Sequence, residues 1–147
     1  MMIRKQQSGV MLLEALIGIL IFSVGILAVV GLQAASISAT TDAKNRSDAS
    51  LLANQLIGQM WVSNKTPATL QANFQSDCTA CPYTLWSAEV ANVLPGVADV
   101  PPIVTVTPVT VNGFTIISTV QIVVRWRTPK QLSTDPPHLY SVVFQVV

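Results

Sequence analysis

The sequence predicts an α+β protein: a long N-terminal α-helical spine, its first half transmembrane, with a small antiparallel β-sheet head packed on its second half. Three observations carry this prediction. Half of the 147 residues are hydrophobic and only a tenth are charged, against about a quarter in ordinary soluble domains. The apolar excess sits in one block, because no charged residue falls between Glu14 and Asp42. An amphipathic stretch without proline then runs on to Pro67, and the last third alternates β-branched and polar residues around Asn112-Gly113, a strong hairpin signal.

The spine begins with Met1-Met2-Ile3-Arg4-Lys5-Gln6-Gln7-Ser8-Gly9, followed by Val10-Met11-Leu12-Leu13-Glu14 and an uncharged run from Ala15 to Leu32. Eighteen helical residues rise about 27 Å, close to the hydrocarbon thickness of a bilayer. Arg4 and Lys5 ahead of the run hold that end in the cytoplasm and send the remainder outward. A secretory signal peptide would need a shorter apolar core and a small-residue cleavage site, for which Ala34-Ala35-Ser36 is the available sequence. A plain membrane anchor fits the length but leaves Glu14 unexplained. A carboxylate in hydrocarbon costs about 3 kcal/mol even on a lenient insertion scale, so it points to function.

Gly9, an apolar residue at position 10, Glu14 five positions after Gly9 and the long apolar run together resemble the class III signal of type IV pilins and pseudopilins. The resemblance implies that a prepilin peptidase cuts between Gly9 and Val10 at the cytoplasmic membrane face. Val10 then becomes the N-methylated first residue, and Glu14 becomes the glutamate at mature position five. Glycine, lacking a Cβ, lets a protease approach the backbone closely. Cleavage creates a positive α-amino group, with which a nearby carboxylate pairs in low dielectric. The resemblance implies that this pairing docks a new subunit at the base of a growing filament. Val10 departs from the phenylalanine or methionine usual at that position, which bears on methylation more than on cleavage. Ile26-Leu27-Ala28-Val29-Val30-Gly31-Leu32-Gln33, leading into an Ala- and Ser-rich helix, further resembles a minor pilin of the PilV type.

The spine continues beyond Gln33. Asp42, Lys44, Arg46 and Asp48 alternate in sign, and Leu52, Leu56 and Met60 form an i, i+4 row with Ala53, Ile57 and Trp61 beside it. Asn64 to Pro67 marks the exit, since proline disfavours helix at itself and at the residue before it. A helix over 10–62 would measure about 80 Å. Gly18, Gly25 and Gly31 interrupt its apolar half, for close helix contact or, as the resemblance implies, for local unwinding in a filament. The chain thus divides into a cleaved leader (1–9), a transmembrane or filament-core helix (10–33), an amphipathic continuation (34–62) and a head (63–147).

Cys78-Thr79-Ala80-Cys81 lies in a polar, turn-rich stretch ending at Pro82. A zinc site needs four ligands, and His138 is the only other nitrogen or sulfur donor of the right kind. A thioredoxin-like centre calls for a βαβ context and a helix starting at the motif, and neither is predicted. Export into an oxidising compartment makes a structural Cys78–Cys81 disulfide the expectation. Strands follow at Ile103–Val111, Phe114–Arg127 and Leu139–Val147. Val120, Ile122, Val124 and Trp126 are expected to face the helix, with Tyr140, Val142, Phe144 and Val146 sharing a face of the last strand. Pro108 cannot donate to a ladder, which makes the first strand an edge.

Nothing in this inventory reads as an active site or predicts a cofactor. His138 is expected to be solvated in a proline-rich loop, and Trp61, Trp86 and Trp126 to anchor the core. A net charge of +1, or −1 once Arg4 and Lys5 are removed with the leader, gives nucleic acid no electrostatic footprint. The expectation is a structural subunit, not an enzyme: a minor pilin of a type IV pilus that primes assembly or sits near the tip. Its expected partners are the prepilin peptidase, other major and minor pilins, and the inner membrane, which it crosses once with its head in the periplasm. It then moves to the cell-surface pilus. A minor pseudopilin of a type II secretion system would share the same first forty residues, and a membrane-tethered CxxC thiol oxidoreductase is the alternative of another class.

Overall fold

The computed structural model describes residues 8–111 and 113–147. Arg4 and Lys5, expected to set the orientation, and Asn112 of the expected hairpin turn lie outside the described residues. The chain is α+β: a long helix α1 (Ser8–Val62), two short helices α2 (Pro67–Phe74) and α3 (Pro82–Val93), a 3-10 turn at Val97–Asp99, and strands β1 (Ile103–Val111), β2 (Phe114–Trp126) and β3 (His138–Val146). Its contacts divide it into two compact units between Asp42 and Ala43.

In the first unit α1 is uncharged and apolar all round from Ala15 to Leu32, and all residues from Val10 to Asp42 are exposed in the isolated chain. A helix apolar all round is stable in lipid or in a packed bundle, not in water. This N-terminal helix is long and apolar enough to cross a membrane.

The second unit is built around the amphipathic end of α1. Ala49, Leu52, Ala53, Leu56 and Met60 are buried, and they share one core with Val104 and Val106 of β1 and Val120, Ile122, Val124 and Trp126 of β2. The 3.6-residue period of the helix and the two-residue period of the strands thus meet on one apolar layer. The sheet is antiparallel in the order β1-β2-β3, with Val106 opposite Val120 and Ile122 opposite Val142. Gly113, at φ 82°, supplies the left-handed backbone that a tight hairpin turn requires.

Two expectations about tryptophan hold and one does not. Trp86 and Trp126 are buried, but Trp61 is 46% exposed. Met60 takes the inward position, and Trp61 sits about 100° further round the helix. There its ring lies 5.0 Å from Lys65 Nζ, an amphipathic surface arrangement. Helices α2 and α3 were not anticipated. Each begins on a proline, whose fixed φ and missing N–H suit the first helical position. Leu70 and Phe74 of α2, and Tyr83, Trp86 and Val90 of α3, turn into the core. Trp86 Nε1 donates to the Leu52 carbonyl at 2.8 Å, tying α3 to the part of α1 that belongs to this unit.

Candidate functional site

The first candidate site is the beginning of α1. The Gly9–Val10 peptide bond lies in its first turn, where the backbone N–H groups have no intrahelical acceptor and unwinding sacrifices least. Val10, Leu13, Glu14 and Ile17 lie side by side on one helix face, the i, i+3, i+4, i+7 relation. Glu14 therefore projects from an otherwise apolar surface, one turn beyond Val10. Among the described residues it has no ion-pair partner; the ion pair present joins Lys44 and Asp48 at 3.4 Å, further along the helix. A Cβ added at Gly18, Gly25 or Gly31 would meet nothing within 4 Å. Packing within the chain thus gives no reason for glycine at these three positions.

The second candidate is the cysteine pair. Cys78 and Cys81 are joined, with Cα atoms 6.2 Å apart, inside the usual range for a disulfide. Ala80 takes φ 55°, so the bridge spans a tight left-handed turn. Cys81 is buried in the core cluster and Cys78 packs against it. A helix does begin at the motif, contrary to expectation: Cys81 is the N-cap of α3. The surroundings are nevertheless not those of a βαβ redox centre, because among the described residues α2 precedes the pair and every strand follows it.

The bridge fixes where α3 starts, and α3 carries Tyr83 and Trp86 into the core. Tyr83 Oη donates to the Pro102 carbonyl at 2.8 Å. Burial pushes the Tyr83 phenol above its ordinary pKa, and nearby Arg125 offsets part of the rise. Replacing both Cys78 and Cys81 with serine is expected to lower the stability of the head by about 2 kcal/mol, because so short a loop constrains little of the unfolded chain. Denaturant titration of the chain in detergent, read through tryptophan fluorescence, measures this. Loss of the folded baseline would instead make the bridge indispensable.

His138 is not the solvated loop residue expected. It opens β3 opposite Trp126, and the two rings stack with centroids 5.7 Å apart and planes 15° apart. The loop before it holds a polar depression of about 250 Å³ lined by Pro95, Gly96, Asp99, Arg127, Gln131 and Ser133, among others. Arg127 donates through Nη1 to the Leu132 and Ser133 carbonyls, and its backbone N–H donates to the Pro95 carbonyl at 3.0 Å. Leu132 N–H donates in turn to Asp135 at 3.2 Å. These bonds organise the loop itself. Sequence reading missed this cluster because its members lie some thirty residues apart. Among the described residues, no three His, Cys, Asp or Glu side chains gather within reach of one metal ion.

Comparison of the chain with protein-family models, with curated proteins and with solved structures finds no match.

Proposed function

We propose that this chain is a filament subunit of the type IV pilin kind, made as a precursor and cut between Gly9 and Val10 by a prepilin peptidase. Before assembly it is held in the inner membrane by residues 10–33, with its N-terminus in the cytoplasm and its head in the periplasm. After cleavage it packs through that helix with other major and minor pilins, as a minor subunit that primes a type IV pilus or sits near its tip. Its role is structural rather than catalytic. The observation that carries the reading is the placement of Gly9 and Glu14 at the start of an exposed apolar helix that continues unbroken into the buried row of a folded head. A span alone would explain the apolar surface but not the charge.

A minor pseudopilin of a type II secretion system is the nearest alternative, since the same leader and helix would build a short periplasmic filament. The helix that starts at Cys81 favours a thiol oxidoreductase more than the sequence alone did. Against that reading, the pair has no βαβ setting, because α2 precedes it and every described strand follows it. Filaments sheared from intact cells are expected to contain the processed chain, and to lack it when the prepilin peptidase is deleted. Processed chain confined to the cell envelope would favour the secretion-system reading.

A further inference from the structure

The turn between α2 and α3 holds an unusual backbone. Among the described residues, Ala80 is the one non-glycine residue with positive φ, at 55°, a region that a Cβ makes costly. The other positive values fall on Gly96 and Gly113, which adopt them freely. Ala80 is exposed, so packing of its methyl group does not offset the cost. Backbone bonds close the chain on either side of it, from Cys78 N–H to the Gln75 carbonyl and from Thr84 N–H to the Cys81 carbonyl. Across Ala80 itself runs the Cys78–Cys81 bridge. A cost borne by the bridged form and relieved in the open one makes a disulfide easier to reduce.

The placement of the two cysteines gives opening a direction. Cys81 is buried and is the N-cap of α3, where the N–H groups of the first turn favour a thiolate and so a good leaving group. Cys78 is the more exposed of the two, between exposed Asp77 and Thr79. The segment is also fastened at both ends without the bridge. Ser76 donates through its N–H and its Oγ to the Val104 carbonyl, each at 3.1 Å. On the other side, Tyr83 and Trp86 hold α3 through the Pro102 and Leu52 carbonyls. Opening the bridge therefore frees the turn and leaves the core in place.

We propose that the Cys78–Cys81 bridge is a reversible redox clasp on the turn before α3, opened by an external protein dithiol of the CxxC kind. A thiolate of the dithiol attacks Cys78 Sγ, the bond between Cys78 and Cys81 breaks, and Cys81 leaves as a thiolate. The second thiol of the dithiol then displaces Cys78 from the mixed disulfide. The chain gains two electrons and, once both thiolates are protonated, two protons; the reductant ends as a disulfide. A protein disulfide of higher reduction potential closes the clasp by the reverse steps. The chain is here the substrate of exchange, and what changes is the surface of the head at Thr79 and Ala80.

The test equilibrates the full chain in detergent micelles with mixtures of reduced and oxidised dithiothreitol, then alkylates free thiols and counts them by mass. Opening is expected without denaturant, while Trp86 and Trp126 stay shielded from a soluble fluorescence quencher. Ala80→Gly removes the cost of positive φ from the bridged form, so half-opening should need at least a fivefold higher ratio of reduced to oxidised dithiothreitol. A thioredoxin whose resolving cysteine is replaced by serine should be trapped on Cys78, as peptide mapping of the mixed disulfide reads. Opening only as the tryptophans become accessible would overturn the assignment, because the bridge would then belong to the fold. So would an unchanged midpoint for Ala80→Gly, or trapping on Cys81. None of these readouts depends on cleavage after Gly9, so the proposal fails or stands separately from the filament reading.

Discussion

Replacing Glu14 with alanine is expected to leave the chain inserted and cleaved while reducing its incorporation into filaments at least tenfold. The carboxylate costs about 3 kcal/mol in hydrocarbon, so its removal makes insertion easier, not harder. In the filament reading its compensation comes after cleavage, from a mature α-amino group in low dielectric. Breaking a buried pair by removing one partner costs about 3–5 kcal/mol, and about 1.4 kcal/mol already amounts to a factor of ten. The measurement is the ratio of filament-bound to membrane-bound chain by quantitative immunoblot, with Glu14→Gln separating charge from shape. A normal ratio for both variants would remove the charge-pair account of Glu14.

A comparably large effect is expected far from the membrane, at Gly96. Its φ is +65°, and a Cβ there would lie 2.9 Å from both the Cβ and the carbonyl oxygen of Arg127. The left-handed backbone costs a non-glycine residue about 1–3 kcal/mol, and the clash with backbone adds to it. Gly96→Val should therefore remove several kcal/mol, a large share of the about 5–15 kcal/mol that holds a typical domain folded. Gly113 is the control within the same chain: it also has positive φ, +82°, but a Cβ there meets nothing within 4 Å. Gly113→Ala should show the backbone cost alone. Denaturation midpoints of the two variants should be clearly separated, with Gly96→Val the lower. Equal midpoints would mean that Arg127 and its loop yield easily.

The strands were legible because their periodicity is local. β1 spans the residues expected, β2 ends one residue early at Trp126, and β3 begins one residue early at His138. The exit of α1 before Pro67 was legible for the same reason. Proline also concealed α2 and α3, since Pro67 and Pro82 read as interruptions while each opens a helix. Those helices show few turns of pattern, with inward residues Leu70 and Phe74 in one and Tyr83, Trp86 and Val90 in the other. Their burial depends on distant partners, as in the bond from Trp86 to the Leu52 carbonyl. Trp61 was misplaced because a row of apolar residues along a helix rolls gradually out of the core; Ala53 is buried, Ile57 half-buried and Trp61 exposed. At the first candidate site, the spacing of Gly9 and Glu14 was visible in the sequence. The exposure of Glu14 on one helix face with Val10, Leu13 and Ile17 emerged with the structure. The Gly96–Arg127 approach joins residues with no local signal to link them.

The filament reading makes its sharpest demand on one covalent bond. Gly9 precedes Val10 in the first turn of α1, and Glu14 lies one turn beyond Val10 on the same face. Peptide mass spectrometry of chain isolated from membranes of cells containing a prepilin peptidase should find an N-terminal peptide beginning at Val10, heavier by one methyl group where N-methylation has occurred. A mature N-terminus following Ala35, or an intact chain still beginning with Met1 or Met2, would contradict the account.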